Sequence, residues 1–255
     1  MRWHFLANAP ADGFFNMALD EALMRRSERT GDAVFRVYGW SAPTLSLGRN
    51  QRARGCYDEA AAERLGIAFV RRPTGGRALL HDHEITYSAT MPLAERAEAG
   101  AAYEFVNDVL LGALSNLGVR AERARETASV PPGPRPCFDV PAEREIVVDR
   151  RKLVGSAQWR RGQALLQHGS ILIRDDQGVI ARIARGPLSA PPAAATLAEA
   201  LGRDPSLEEF ATVLRASLEH RTGCRPVPLP DDALLDHDTS QLRSAYADES
   251  WTWRR

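Results

Sequence analysis

Cys137 and Lys152 stand fifteen positions apart in the stretch CFDVPAEREIVVDRRKLVGSAQ, residues 137–158. Lys152 is the only lysine of a chain whose Lys+Arg total is 33, so every other cationic position is arginine. A guanidinium keeps its proton at any pH a protein meets, whereas a partly buried lysine can lose it, so a position that must gain and release a proton accepts only lysine. Cys137 is therefore a candidate nucleophile and Lys152 its candidate acid/base partner. Residue type alone also fits plainer uses. A single cysteine commonly serves as a small buried hydrophobe, and one lysine can be an accident of Arg-rich composition.

The intervening residues supply a way for the two to meet. EREIVV alternates polar and apolar, Asp149 to Arg151 is polar enough to turn, and KLVGSAQ has the pattern of a second strand. Such a hairpin returns Lys152 towards the loop ahead of the first strand, where Cys137 lies. The Pro-rich segment 126–136 ends directly before that cysteine and predicts a loop at a sheet edge, open to a substrate. After a turn at Arg160 to Gly162, QALLQHGSILI is a third adjacent strand, in which His168 and Gly169 interrupt an apolar run; a hydrogen-bonded core histidine is the plain reading there.

RRPTGGRALLHDHEITYS, residues 71–88, is the second informative stretch. Pro73 to Gly76 breaks a strand, and consecutive glycines permit positive φ and close approach of backbone to a ligand, although a simple hairpin turn is the commoner use of such a pair. Backbone N–H groups in a loop of this kind can cradle an anion or a carbonyl oxygen. His81 and His83 would share one face of a strand as metal ligands do, but no third ligand follows at a clear spacing, so no metal is expected. Arg49, Arg52, Arg54, Arg71, Arg72 and Arg77 gather around strand ends and loops.

The rest reads as scaffold. Trp3 to Ala7 is a strand, and FFNMALDEALMRRSERTG puts Phe15, Leu19, Ala22 and Leu23 on one face of a core-facing helix that Gly31 stops. AVFRVYGW and TLSLGRN are strands parted by Pro43, a helix spans Tyr57 to Leu65, and IAFVRR and EITYSATMP are further strands. AAYEFVNDVLLGALSNLG is an amphipathic helix ended by Gly118, and VRAERA is a short strand. Residues 186–195 look like a linker; beyond them the chain is mainly helical, with SLEEFATVLRASLEH clearest and an exposed ending WTWRR. Hydrophobic content of 44% and charged content of 26% are those of a soluble globular protein. Zero net charge excludes a global field for nucleic acid. Cys56, Cys137 and Cys224 match neither a disulfide framework nor a zinc site, and no signal-peptide or membrane-spanning run is present, which points to the cytoplasm.

Taken together, RRPTGGRALLHDHEITYS, CFDVPAEREIVVDRRKLVGSAQ and LQHGSILI resemble the biotin/lipoate protein ligase and transferase superfamily, and within it the LipM-type octanoyltransferases. The likeness runs from FNMALDEAL through YGW and TLSLG to ESWTWRR. It implies an α+β fold: a mixed, largely antiparallel sheet flanked by helices, similar to the catalytic domains of biotin/lipoate protein ligases and class II aminoacyl-tRNA synthetases. It implies one catalytic domain over 1–255, with a mainly helical C-terminal segment at about 195–255. Under the resemblance Cys137 carries the acyl group as a thioester and Lys152 is the acid/base residue. The loop lining the acyl site matches Arg71, Arg72, Gly75, Gly76, Arg77 and His81; Gly155 and Ser156 belong to the GSAQ motif, and His168 and Gly169 are the HG pair. The implied donor is octanoyl-acyl carrier protein and the implied acceptor a lipoyl-carrier protein such as the glycine cleavage H protein or an E2 lipoyl domain. No cofactor, nucleic acid or membrane is expected. Arg77 stands where ATP-dependent lipoate ligases carry a third glycine, and those ligases do not need a cysteine at the position of Cys137; both departures favour transfer without nucleotide. The alternatives are such a ligase, an octanoyl amidotransferase between lipoyl domains, and a non-catalytic module that binds lipoyl domains.

Overall fold

In a computed structural model of the chain, residues 1–95, 98–124, 145–186 and 192–255 are described. In order these form β1 (Trp3–Ala7), α1 (Gly13–Thr30), β2 (Ala33–Tyr38), β3 (Thr44–Leu47), α2 (Glu59–Arg64), β4 (Ala68–Arg71), β5 (Leu79–His81) and β6 (Glu84–Pro92). Next come α3 (Ala99–Leu117), β7 (Glu122–Arg123), β8 (Ile146–Val148), β9 (Arg151–Arg161), β10 (Ala164–Leu172) and α4 (Ile180–Ile183). The chain closes with α5 (Leu197–Leu201), α6 (Leu207–Thr222), β11 (Val227–Pro228), α7 (Ala233–Ala247) and α8 (Glu249–Thr252). Cys137 and the Pro-rich segment before it lie outside the described residues, as do residues 187–191 of the linker-like stretch.

The larger sheet runs β11-β1-β2-β6-β10-β9-β8-β7. Only the β11–β1 and β1–β2 pairs are parallel; the others are antiparallel. This is the mixed, largely antiparallel sheet that was expected. One face packs on α3 and α6 around Val106, Leu110, Phe210 and Leu214, and the other on α1 and α7 around Met17, Leu23, Leu235 and Tyr246. A smaller sheet, β4-β3-β5, packs against α2 and α4 through Leu45, Leu47, Ala62 and Ile183. None of the described helices is long and apolar enough to cross a membrane.

Local chemistry sets the boundaries. Asp12 caps α1 by accepting from Phe15 N at 2.8 Å, and Gly31 ends the helix in the left-handed region at φ 73°. The hairpin of β8 and β9 turns on Asp149 and Arg150 alone, at φ 49° and 63°, the mirror-image turn whose twist matches paired strands. β9 extends to Arg161, so the next turn falls at Gly162 and Gln163, one step later than the sequence suggests.

Two surface expectations are overturned. WTWRR is not an exposed tail: Thr252 is buried and its carbonyl accepts from Arg71 Nε at 2.8 Å, while Trp251 Nε1 donates to Arg71 O. The close of the linker-like stretch is also core, with Ala194 and Ala195 buried and Ala195 N donating to Lys152 O at 2.9 Å.

Candidate active site

β6, β10 and β9 lie side by side, with His168 opposite both Ser88 and Ala157, and Ser170 opposite Thr86 and Gly155. Because side chains alternate, this register puts Thr86, Ser88, His168 and Ser170 on one face. The smaller sheet brings the RRPTGG loop and His81 over that face, and a pocket forms between the sheets. Arg72, Gly76, His81, Gly155, Ser156, His168 and Gly169, all singled out from the sequence, line it. Gly75, Arg71 and Arg77 do not. Arg71 is fully buried beneath the loop and donates to the carbonyls of Gly48, Gln51 and Thr252. Arg72 holds the loop by donating to Gly75 O and Arg77 O and reaches Ser46. Gly48 has no room for a side chain, since a Cβ there would sit 2.0 Å from Gly76 O.

The polar groups around the pocket bond to one another, apart from Glu84 Oε2, which is buried without a hydrogen-bond partner. His81 Nδ1 lies 2.7 Å from Glu84 Oε1 and its Nε2 2.7 Å from Ser46 Oγ. Ser170 and Thr86 also donate to Glu84, and Trp40 Nε1 donates to Thr86 at 2.7 Å. With those atoms engaged, the surface offered to a ligand includes Met17, Leu79, Tyr38 and the Trp40 ring, which stacks on His81 at 3.9 Å between centroids. An apolar chain can enter such a pocket without stripping water from unmatched donors.

Behind His168 lies a buried charge centre supplied by α1. Asp20 accepts from Arg36 Nη1 at 2.7 Å, Ser88 at 2.7 Å, Tyr38 at 2.9 Å and His168 Nδ1 at 3.0 Å. Burial raises the pKa of Asp20, but Arg36 and His168 more than offset this and hold the carboxyl below its usual range. Burial lowers the His168 pKa further than Asp20 can restore, so the imidazole is neutral near pH 7. Its Nδ1–H donates to Asp20, and Nε2 accepts from the Thr74 hydroxyl at 2.6 Å. Helix α1 is thereby tied to the loop that roofs the pocket.

Lys152, near the start of β9, pairs with Val147 where the β8–β9 ladder shifts register. Its Nζ lies 2.7 Å from Glu145 Oε1, with only 3% of the lysine side chain and 9% of the glutamate exposed. Tyr103 of α3 is a neighbour of this pair; burial first, then Glu145, raises its pKa, while Asn107, Lys152 and Ser156 pull the other way. Ser156 connects the two regions, because it lines the pocket and shares a 2.7 Å hydrogen bond with Tyr87. Gly169 stands where the strands are tightest: a Cβ there would lie 2.3 Å from Gly155 O and 2.8 Å from Tyr87 Cε1.

His81 and His83 do not share a strand face. His81 ends β5 and is buried, while His83 occupies the exposed turn before β6, where it, Asp82 and Asp176 bring ligand atoms within 4.8 Å of one another. Sequence reasoning did not single out Met17, Asp20, Tyr38, Trp40, Thr86, Glu145 or Ser170. Two faint signals were available: Asp20 is an acidic residue within the apolar stretch NMALDEAL, and Trp40 closes YGW just before a proline-marked turn.

A two-sheet α+β frame with a loop-roofed pocket and a buried lysine on the strand beside it defines a class, and the chain belongs to the lipoyl protein ligase A/B catalytic domain family, whose model matches residues 12–219. Among its relatives is the octanoyltransferase LipM of Kyrpidia tusciae, 35% identical over 272 residues and covering 99% of each chain. Octanoyltransferase LipM of Bacillus subtilis is 41% identical over 187 residues, 69% of this chain and 66% of its own. The fold matches lipoate-protein ligase A bound with ATP at a TM-score of 0.84, with 21% identity and 99% of both chains covered. It also matches a bipartite lipoate protein ligase of Thermoplasma acidophilum, solved in work on that ligase and its E2 lipoyl domain, at a TM-score of 0.81 with 18% identity, covering 99% of this chain and 96% of the other.

Proposed function

We propose that this protein is an octanoyltransferase of lipoate biosynthesis, moving octanoyl from acyl carrier protein through a thioester on Cys137 to a lysine amine of a lipoyl-carrier protein. The observation that carries the reading is the 35% identity over essentially the whole of both chains to an octanoyltransferase. The buried Lys152–Glu145 pair supports it.

The chemistry balances without ATP. Neutral Lys152 takes the Cys137 thiol proton, and the thiolate attacks the donor thioester. The tetrahedral intermediate expels the donor's sulfur, which recovers that proton from the Lys152 ammonium. Glu145 gives the ammonium a counter-charge while it holds the proton. In the second half the acceptor's neutral ε-amine attacks the acyl-cysteine, Lys152 takes a proton from the nitrogen, and the Cys137 thiolate leaves and is reprotonated. One thioester replaces another in the first half, and an amide replaces a thioester in the second, so the sequence runs downhill. Backbone N–H groups near Lys152 or in the Gly75 to Arg77 loop are the candidate oxyanion donors; one such donor is worth roughly 3–4 kcal/mol. Burial of about seven acyl carbons at about 0.8 kcal/mol each supplies on the order of 5 kcal/mol of binding.

The test is transfer from octanoyl-acyl carrier protein to a lipoyl domain with nucleotide omitted. The proposal expects octanoyl-lysine without pyrophosphate release. Modification that requires ATP and tolerates Cys137→Ser would make the protein a ligase instead.

A further inference from the structure

Beyond Ala157, β9 leaves the pocket, and Trp159 walls a second, open groove with Arg49, Tyr246 and Trp251. We propose that this groove and the arginine rim beside it are the docking surface for the acidic carrier protein that delivers the acyl thioester. The inference rests on the transferase reading above and names where its donor binds.

The chain is neutral overall, with 33 cationic and 33 acidic residues, yet guanidiniums are segregated here. Arg254 donates to the Arg49 carbonyl, and Ala53 N and Arg54 N both donate to Arg255 O, so the segment 49–54 and the residues 254–255 are fastened together. That brings Arg49, Arg52, Arg54, Arg254 and Arg255 onto one surface, and among the described residues none of the five forms a salt bridge. The carboxylate in the groove, Glu21, is already engaged by Arg25, Arg161 and Tyr246.

The crowding is felt inside the protein. Burial, followed by Arg254, Arg255 and Arg72, lowers the Arg71 pKa to about 10. Burial, followed by Arg49 and Arg255, lowers that of Arg254. Arg254 Nε and Arg71 Nη2 are buried without a hydrogen-bond acceptor. Like charges held together oppose folding, and an anion arriving from outside relieves that repulsion. Aromatic faces hold the guanidiniums: Arg49 lies 4.8 Å from the Trp159 centroid and 5.7 Å from that of Trp251, and Arg254 lies 4.0 Å from Trp251. Stacking holds the guanidinium planes in place, and the N–H groups not taken up by backbone carbonyls can meet carboxylates and phosphodiesters. An acidic carrier with a phosphodiester-linked arm presents both. Its position is also suitable, because Arg49 N donates to Thr74 O at 2.8 Å, and the same loop carries Arg72 and Gly76 over the acyl pocket.

The experiment compares two donors for the full-length protein, octanoyl-acyl carrier protein and octanoyl-pantetheine, in wild type, in Arg49→Ala/Arg254→Ala and in Arg52→Glu, an exposed rim change that guards against misfolding of the double variant. The expected result is a loss of about tenfold or more in kcat/KM with the carrier-borne donor, carried mainly by KM and by a reduced salt dependence, with less than about a twofold change for octanoyl-pantetheine. Equal losses for both donors, no loss for either, or a rise confined to the KM of the acceptor domain would overturn the assignment. Wild-type protein that transfers from neither donor would refute the transferase reading itself.

Discussion

Asp20 to alanine is the most informative perturbation of the frame. The carboxylate and the Arg36 guanidinium are both wholly inaccessible to solvent and 2.7 Å apart. Removing the acid leaves Arg36 with only neutral partners, Asn8 and Asn16, and removes the acceptors of Tyr38, Ser88 and His168 Nδ1. Deleting one member of a buried pair costs about 3–5 kcal/mol, a large share of the roughly 5–15 kcal/mol that holds a domain folded. Asp20→Ala should therefore lower the unfolding free energy measured by urea titration by that amount at pH 7, and Asp20→Ala/Arg36→Met, which removes both charges, should recover most of the loss. Acid should act in the same direction on the wild type. The folded-state pKa of Asp20 is depressed, so its contribution is present above about pH 3.9 and is lost as pH falls through the lower folded value. The His168 pKa is depressed as well, so its share is complete above about pH 6.5 and declines below it as the unfolded state takes up the proton first. A loss under about 1 kcal/mol in the single variant, or a double variant no better than the single one, would refute the reasoning.

Other predictions bear on the chemistry and on the tight crossing of β9 and β10. Lys152→Arg keeps a cation beside Glu145 but removes the base, so turnover should fall by about 100-fold or more with little change in the unfolding midpoint; a wild-type rate would remove Lys152 from its role. Gly169→Ala places a methyl 2.3 Å from Gly155 O, so the strands must shift, at about 1–3 kcal/mol of stability and with weaker acyl binding. An unchanged thermal midpoint would show that the strands yield freely. Acyl transfer should also weaken as salt rises from low to physiological concentration when the donor is carrier-borne, and hold steady with a small thioester donor; steady-state kinetics at several ionic strengths checks both.

Most strands and helices were legible because their signals are local. The strand patterns of EREIVV and KLVGSAQ and the helix stops at Gly31 and Gly118 each act within a few residues. The pocket was half legible: the loop arginine Arg72 and the HG pair His168–Gly169 carry visible motifs, and they do converge. Trp40 and Asp20 carry only faint local signals, since neither matters until β2, α1 and β10 are packed together, and composition does not say which buried polar residue will find a partner 148 positions away. The C-terminal tryptophans failed for the same reason. WTWRR looks polar and terminal, yet Trp251 and Thr252 bond to Arg71, 180 and 181 positions earlier in the chain. Likewise, β9 and β10 meet through a turn that local rules place, but the near-contacts that forbid a side chain at Gly169 are with Gly155 O across the strand pair and with the Tyr87 ring of a third strand.

The central claim is tested most directly by intact-mass spectrometry of the protein mixed with octanoyl-acyl carrier protein in the absence of nucleotide and acceptor. The account predicts a single octanoyl adduct that maps to Cys137, is released by hydroxylamine and is absent from Cys137→Ser. No adduct on a protein that still modifies its acceptor, or an adduct on any other residue, would contradict it.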